Sequence, residues 1–170
     1  MMSTLDRFPH SPCNPLRIPL ILILTLCFIM LTSSCGLGVR MRSMMGGKLV
    51  LKVDMSETAN NNSPVALELV LIYDEALLKE LMKISAGEWF EKKDQFQRDY
   101  PGDTGFDSWQ WEWVPGQNVA LIKLPLKARA KAGIVYVRYY GPGAFRARID
   151  PHESIEIKLL EKEFIVKPLE

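Results

Sequence analysis

The chain has 170 residues, a length typical of one ordinary domain, and a formal net charge of +1 at pH 7. So small a positive excess argues against a nucleic-acid-binding protein, which would carry a clear surplus of lysine and arginine. The only cysteines are Cys13, Cys27 and Cys35. Because all three lie near the amino terminus, the remainder of the chain cannot be a disulfide-stabilised domain.

The amino-terminal segment has the layout of a bacterial secretory signal. Arg7 and Arg17 precede an uncharged apolar run over residues 20–31, and the small residues Ser33 and Ser34 follow that run. The run is shorter than the roughly 20 apolar residues that a permanent transmembrane helix needs. The pattern therefore predicts a signal peptide over residues 1–34.

A cysteine follows this segment directly. Residues 31–35, Leu-Thr-Ser-Ser-Cys, resemble the lipobox of bacterial lipoproteins, in which the signal is cut before a diacylated cysteine. The resemblance predicts that Cys35 is lipidated and becomes the first residue of the mature protein. Gly36 comes next and, by resemblance to lipoproteins of enteric bacteria, favours the outer membrane. The alternatives are a plain signal peptide with an unmodified cysteine, or a short membrane anchor.

The mature chain begins with a glycine-rich segment, residues 35–47, which predicts a flexible tether to a single domain over residues 48–170. Residues 48–54 alternate between apolar and polar side chains and predict a first strand. Residues 56–64 are rich in Asn, Ser and Pro and predict a loop. Residues 65–73 are nearly all apolar, which predicts a central strand that is buried on both faces.

The spacing of apolar residues then changes to that of a helix. Residues 75–84 place four apolar side chains on one stripe, with Asp74 as a plausible N-cap and Gly87 as a plausible stop. Residues 88–100 predict a second short helix. The sequence therefore predicts a helical insertion after the second strand.

Strand patterns and turn residues fill the rest of the chain. The predicted strands are residues 108–113, 118–124, 133–140 and 146–149, followed by 154–159 and 162–166 as one bent strand. Because strands dominate and turn signals recur between them, the sequence predicts a mainly β protein. The economical architecture is a β-sandwich with a short helical insertion after the second strand.

The sequence contains no clear set of catalytic residues. His152 is the only histidine beyond the signal, and without further cysteines it argues against a zinc site. Asp103 and Asp107 could serve as paired carboxylates, as in glycosidases, but both flank glycine turns, where aspartate commonly shapes the turn. We therefore expect no enzyme activity, no metal, no cofactor and no small-molecule substrate.

Three tryptophans stand out in the predicted strand 108–113. Trp109, Trp111 and Trp113 share one face of this strand, and Gln110 and Glu112 occupy the other. Aromatic rows with this spacing are usually packed in a core, which is the interpretation that we favour. If the row were exposed, it could stack on sugar rings, as in a cell-envelope lipoprotein that binds carbohydrate or peptidoglycan.

Several short features follow one another in an order that resembles a known family. A lipoprotein signal and a tether precede an Asn-rich loop that ends at Ser63-Pro64-Val65, and an apolar strand ends at Ile72-Tyr73. The helical insertion carries Trp89-Phe90, and a Pro115-Gly116 turn enters a later strand. Over residues 35–124 this order resembles the TssJ family, the outer-membrane lipoproteins of type VI secretion systems.

The resemblance implies a transthyretin-like β-sandwich that is lipid-anchored to the outer membrane and faces the periplasm. It also implies a partner, the periplasmic part of the large inner-membrane protein TssM, and a role as a scaffold of the secretion membrane complex. In the family, the loop between the first two strands contacts that partner. The matching positions, which could also form an ordinary solvated loop, are Ser56, Glu57, Thr58, Ala59, Asn60, Asn61 and Asn62.

Overall fold

A computed structural model of the chain describes residues 47–101 and 104–169. Within these ranges, eight strands form two four-stranded sheets, and two helices follow the second strand. The predicted mainly β sandwich with a helical insertion is confirmed. The predicted signal over residues 1–34, the lipidation site Cys35 and the predicted tether over residues 35–47, except for its last residue Gly47, lie outside the described residues. Gly47 belongs to the first strand.

The first sheet, sheet A, contains the strand in which the described residues begin. Its members are β1 (Gly47–Met55), β4 (Ile122–Leu126), β7 (Ile155–Leu159) and β8 (Phe164–Pro168). The strand order is β4-β1-β7-β8, with β1 and β7 parallel and the other pairs antiparallel. The inward side chains of β1 and β7 are apolar and form one wall of the core between the sheets.

The second sheet, sheet B, is antiparallel throughout. Its members are β2 (Val65–Ile72), β3 (Phe106–Trp113), β5 (Ala132–Arg138) and β6 (Arg146–Ile149). The strand order is β3-β2-β5-β6, so that β2 and β5 lie in the middle of the sheet. One face of sheet B packs against sheet A, and the helices cover the other face.

The helical insertion consists of α1 (Glu75–Leu81) and α2 (Ala86–Asp99). Asp74 caps α1 as predicted, because its carboxylate accepts a 2.8 Å hydrogen bond from the Leu77 amide. Gly87 does not end that helix, and this prediction was wrong. Ser85 and Glu88 form a capping box that begins a second helix, so Gly87 lies in the first turn of α2.

Strand β2 belongs to both cores of the molecule. Its side chains at Leu67, Leu69 and Leu71 face sheet A, whereas Val70 and Ile72 face the helices. All of these side chains are fully buried. The prediction of a central strand buried on both faces is therefore confirmed, and it explains why the sequence of β2 does not alternate.

Aromatic packing holds the helical layer on sheet B. Trp89 of α2 stacks on Tyr136 of β5 with ring centroids 5.1 Å apart, and it also contacts Phe96 and Phe106. The Tyr136 hydroxyl donates a 2.8 Å hydrogen bond to the carbonyl of Leu81, at the end of α1. Both helices are thereby fixed to the same strand.

A buried ion pair lies beneath α2. Glu68 of β2 is 1% exposed, and its carboxylate is 3.3 Å from the Lys93 ammonium of α2. Lys93 also donates a hydrogen bond to the side chain of Gln110 on β3. Because an unpaired charge at this depth would be costly, the pair favours a single position of α2 across β2 and β3.

The tryptophan row lies on the face of sheet B that packs against sheet A. Trp113 is 7% exposed and belongs to the core, which confirms the packing interpretation for this residue. Trp109 and Trp111 pack against the same core but are half-buried, because β3 is an edge strand. Trp111 stacks on Trp113 at 5.8 Å. The row is therefore not a fully exposed platform for sugar rings.

The carboxy-terminal segment departs from the prediction of one bent strand. Strands β7 and β8 instead pair antiparallel, from Ile155 with Pro168 to Leu159 with Phe164. A tight turn joins them, in which the Leu160 amide donates a 2.9 Å hydrogen bond to the Glu163 carbonyl. The predicted strand 118–124 was also misplaced, since β4 begins only at Ile122.

A row of charges crosses the outer face of sheet A. Glu156 of β7 lies between Lys52 of β1 and Lys167 of β8, with N–O distances of 2.6 and 2.8 Å. Hydrogen bonds from Lys167 and Lys52 lower the pKa of Glu156 from 4.5 to about 2. The ionised form of Glu156 therefore stabilises three of the four strands of the sheet.

We expect Glu156→Gln to weaken the dependence of stability on pH in acid. Because the pKa of Glu156 is lower in the folded protein, its contribution is present above about pH 4.5 and is lost as the pH falls towards 2. Urea denaturation at several pH values should show a difference between wild type and variant that shrinks over this window. Glu161→Gln, at an exposed position, is the control. A constant difference down to pH 2 would contradict this role of Glu156.

Candidate functional site

Four connections between strands meet at one end of the sandwich, which we call the loop end. They are residues 56–64 after β1, 114–121 after β3, 139–145 after β5 and 160–163 after β7. The strand registers place these connections together, because Met55 pairs with Leu159 and Val65 pairs with Trp113. The described chain begins at Gly47, at the opposite end of β1.

The predicted partner loop contains an unusual backbone turn. Residues Ala59–Asn62 form one tight turn, but Asn60, Asn61 and Asn62 have positive φ angles of 50°, 53° and 60°. A left-handed conformation costs most residues about 1–2 kcal/mol, and asparagine tolerates it better than other residues with a β-carbon. The three consecutive asparagines therefore fit the backbone that this loop adopts.

Asn60 links three of the four inter-strand connections at the loop end by hydrogen bonds. It is 1% exposed, and its side-chain amide donates a 2.8 Å hydrogen bond to the Pro64 carbonyl. Its side-chain oxygen accepts a 2.7 Å hydrogen bond from the Tyr140 amide, after β5. Its backbone amide donates a 3.1 Å hydrogen bond to the Leu160 carbonyl, after β7. The side chain of Asn60 is thus used to hold the loops together.

The seven predicted partner-binding residues differ in exposure. Ala59 is fully buried and Asn60 nearly so, so that their side chains are not available to a partner. Ser56 is half-buried, and its carbonyl accepts a 3.3 Å hydrogen bond from the Gly116 amide. Partner binding by this loop remains a prediction, now restricted to its exposed members Glu57, Thr58, Asn61 and Asn62.

Tyr139 provides a second link across the loop end. Its hydroxyl donates to the carbonyls of Leu160 and Glu163, each at 2.9 Å, and its ring stacks on Phe145 at 5.2 Å. Burial raises the pKa of Tyr139 to about 12, so that the hydroxyl keeps its proton at physiological pH. The connections after β5 and β7 are thereby joined at two separate points, Asn60 and Tyr139.

Backbone strain in the described residues is concentrated at this end. Across residues 47–101 and 104–169, the non-glycine residues with positive φ are the three asparagines 60–62 and Phe145, which has φ 42°. All four lie in the connections after β1 and β5. Strained backbone persists only where the surrounding structure enforces it, and it is common at functional sites.

Exposed apolar side chains also accumulate in these connections. Val114 is 57% exposed and Leu121 is 58% exposed, at the two ends of the connection after β3. Tyr140 is 69% exposed, next to Asn60. None of these three residues was predicted from the sequence. A signal was present, because Val114 directly precedes the Pro115-Gly116 turn and Tyr140 precedes Gly141-Pro142, so that both apolar residues lie at turns where exposure is expected.

A groove on the outer face of sheet B adjoins the loop end. Its volume is about 220 Å³, and Ala66, Glu112, Arg138 and Tyr140 are among its lining residues. The Arg138 guanidinium lies 4.5 Å from the ring centroid of Phe90 on α2, which marks the side of the groove away from the loops. The groove therefore extends the exposed surface of Tyr140 onto the sheet.

Metal-binding chemistry has no visible basis in the described ranges. No group of three His, Cys, Asp or Glu side chains in residues 47–101 and 104–169 is arranged to hold a metal ion.

Asp107 was expected to shape a turn, and this was wrong. It lies in β3, where it accepts a 2.5 Å hydrogen bond from the Tyr73 hydroxyl and pairs with Lys127 at 2.9 Å. Asp103 lies outside the described residues.

Neither α1 nor α2 is long and apolar enough to cross a bilayer.

The known proteins that match this chain are solved structures with a similar fold. No family profile matches the sequence, and no curated protein matches it. TssJ1 of Pseudomonas aeruginosa, a type VI secretion lipoprotein, is 13% identical with a TM-score of 0.59, over 74% of this chain and 98% of that one. This chain has the fold of the TssJ lipoproteins. The resemblance predicted from the sequence is thus confirmed at the level of the TssJ fold.

Two further structures with this fold are similar over almost their whole length. Serratia marcescens Lip, a membrane-bound component of the type VI secretion system, is 16% identical with a TM-score of 0.54, over 72% of this chain and 97% of Lip. A chain of the structure described as the type VI secretion protein TssM C-terminal domain (869–1107) from EAEC is 14% identical. Its TM-score is 0.52, over 73% of this chain and 98% of that one.

Replacing Asn60 tests how the loop end is held together. We expect Asn60→Ala to lower the free energy of unfolding by about 3 kcal/mol, since it removes both hydrogen bonds of a buried side chain and strains a left-handed residue. Asn61→Ala is the matched control, because Asn61 is left-handed but exposed, and it should lose only about 1 kcal/mol. Chemical denaturation measures both. Equal losses would show that the Asn60 side chain does not stabilise the loops.

Proposed function

We propose that this protein is a TssJ-type lipoprotein, a scaffold subunit of a type VI secretion membrane complex. In this proposal Cys35 anchors it to the outer membrane, the sandwich faces the periplasm, and the loop end binds the periplasmic part of a TssM-like inner-membrane protein. The observation that carries the proposal is the TssJ fold with exposed apolar side chains at its loop end. The role is that of a binding scaffold and not of an enzyme.

The loop end has the properties of a docking surface. Its connections are fixed to each other through Asn60 and Tyr139, so that little conformational entropy remains to be lost on binding. Tyr140 and Val114 expose apolar surface, and tyrosine is among the residues that most often dominate binding energy. The exposed polar residues of the loop after β1 supply a rim of hydrogen-bonding groups around these side chains.

The first described residue and the loop end lie at opposite ends of β1. The chain enters the described domain at Gly47, and β1 has nine residues, which separate Gly47 from the loop end by about 27 Å. In this proposal the lipid-bearing segment joins the domain at the end of β1 that is opposite the loops. Anchoring also raises the effective concentration of the domain for a partner that reaches the same membrane.

Mass spectrometry of the purified native protein tests the anchor. We expect a mature chain that begins at an acylated Cys35, because several acyl chains are needed for stable membrane attachment. Cys35→Ser should be missing from the outer-membrane fraction. Cys27→Ser is the matched control, since Cys27 lies in the predicted signal and would be removed. An unacylated native protein, or a Cys35→Ser variant that stays in the outer membrane, would disprove the lipoprotein assignment.

The loop end can be tested with the periplasmic part of the TssM-like protein from the same organism. Val114→Asp and Tyr140→Asp should each weaken binding about tenfold or more, because each places a charge in an apolar contact. Ile165→Asp is the matched control, since Ile165 is an exposed apolar residue that lies on the outer face of sheet A and outside the four connections of the loop end. Titration calorimetry measures affinity, and thermal unfolding checks the fold. Unchanged affinity in both loop variants would place the partner elsewhere.

A further inference from the structure

The outer face of sheet A carries an excess of lysines, and we call it the basic face. The side chains that point outward alternate with the core residues along each strand. On β1 they include Lys48 and Lys52, on β4 Lys123, on β7 Lys158, and on β8 Lys167. Two carboxylates, Asp54 and Glu156, share this face, which leaves a net charge of +3.

This charge is unevenly placed on the molecule. The whole chain has a formal net charge of only +1, so the basic face is more positive than the rest of the protein. Lys52 and Lys167 pair with Glu156, and Lys158 lies 3.5 Å from Asp54. Lys48 and Lys123 are exposed and make no ion pair within the described ranges. Their charges are therefore available to an external anion.

The basic face is also open and partly apolar. In the described part of the chain, α1 and α2 cover the outer face of sheet B, and no helix packs on the outer face of sheet A. Val50 is half-buried among the lysines, and Ile165 is 44% exposed. Lysines that surround small apolar areas suit the boundary between lipid headgroups and acyl chains, where ammonium groups reach the phosphates.

We propose that the basic face lies on the anionic phospholipid headgroups of the membrane that holds the lipid anchor. This inference rests on the proposed anchor at Cys35. The predicted tether joins the described domain at Gly47, directly before Lys48, and its residues 36–46 can span at most about 38 Å. A domain held this close, with three net positive charges on one face, should prefer anionic over neutral membranes about a hundredfold.

The geometry of the face favours a membrane over an acidic protein. The five lysines are spread over all four strands of one sheet. Val50 lies between Lys48 and Lys52 on β1, and Ile165 pairs with Lys158 across β7 and β8. Mobile lipid headgroups can adjust to charges with this spacing, whereas a protein partner would need a matching rigid pattern. With the basic face on the membrane, the helical layer would face away and the loop end would remain accessible at the side.

The test uses the purified native protein on vesicles with single cysteine labels, since Cys35 would be acylated and no other cysteine follows it. One fluorophore is attached at Val50→Cys, in the basic face, and another at Gln97→Cys, exposed on α2. The vesicles contain a lipid that carries a quencher on its headgroup. The other lipid is either phosphatidylcholine alone or phosphatidylcholine mixed with phosphatidylglycerol. We expect the label at position 50 to be quenched at least threefold more than the label at 97, with phosphatidylglycerol only.

Charge reversal provides the matched control. The double variant Lys48→Glu/Lys123→Glu should abolish the difference in quenching between the two labels. The double variant Lys79→Glu/Lys83→Glu makes the same change in net charge, with Lys79 in α1 and Lys83 just after it, and should leave the difference unchanged. Protein bound to both vesicle types with equal quenching at both labels would overturn the proposal and leave the anchor standing, with an acidic protein as the next occupant to test.

Failure of the anchor gives a different result. If the native protein does not bind phosphatidylcholine vesicles at all, the lipid anchor is wrong. The basic face is then judged on phosphatidylglycerol vesicles alone. Binding that is lost at 0.5 M salt and in the Lys48/Lys123 variant supports the proposal, and no binding overturns it.

Discussion

The burial of β2 on both faces is the constraint on which the rest of the structure depends. Leucines 67, 69 and 71 require sheet A on one side, and Val70 and Ile72 require a second apolar layer on the other. The helices supply that layer through Trp89, and the Glu68–Lys93 pair fixes where α2 crosses the strand. Three layers follow from the composition of one eight-residue strand, which leaves the connections at its ends free to specialise.

A frame of this kind can hold a strained surface. Three consecutive left-handed asparagines and Phe145 would be unfavourable in a loose loop, but at the loop end they are fixed by hydrogen bonds between connections that are distant in sequence. Asn60 bonds to Tyr140, 80 positions later, and Tyr139 bonds to the turn after β7. The sandwich thus joins four short connections into one rigid surface.

Local patterns explain which parts could be predicted. The apolar run of β2 and the Asp74 cap depend on neighbouring residues, so the sequence indicated them correctly. The prediction that Gly87 ends a helix failed because glycine often has that role. The Ser85–Glu88 capping box, which is also a local pattern, indicates instead that a helix begins there. The pairing of β7 with β8 and the side-chain bonds of Asp107 depend on tertiary contacts that the sequence does not display. The meeting of Val114 and Tyr140 at one end is likewise a result of topology.

The two outer faces of the sandwich differ because their chemistry differs. Sheet B presents Val70, Ile72 and Ile134 outward and must be covered, whereas sheet A presents lysines and needs no cover. Glu156 allows this arrangement, because one carboxylate between Lys52 and Lys167 reduces the repulsion between neighbouring strands while the face as a whole stays positive. Cohesion of the sheet and attraction to an anionic surface therefore depend on different lysines: Lys52 and Lys167 stabilise the fold through Glu156, and Lys48 and Lys123 remain for binding.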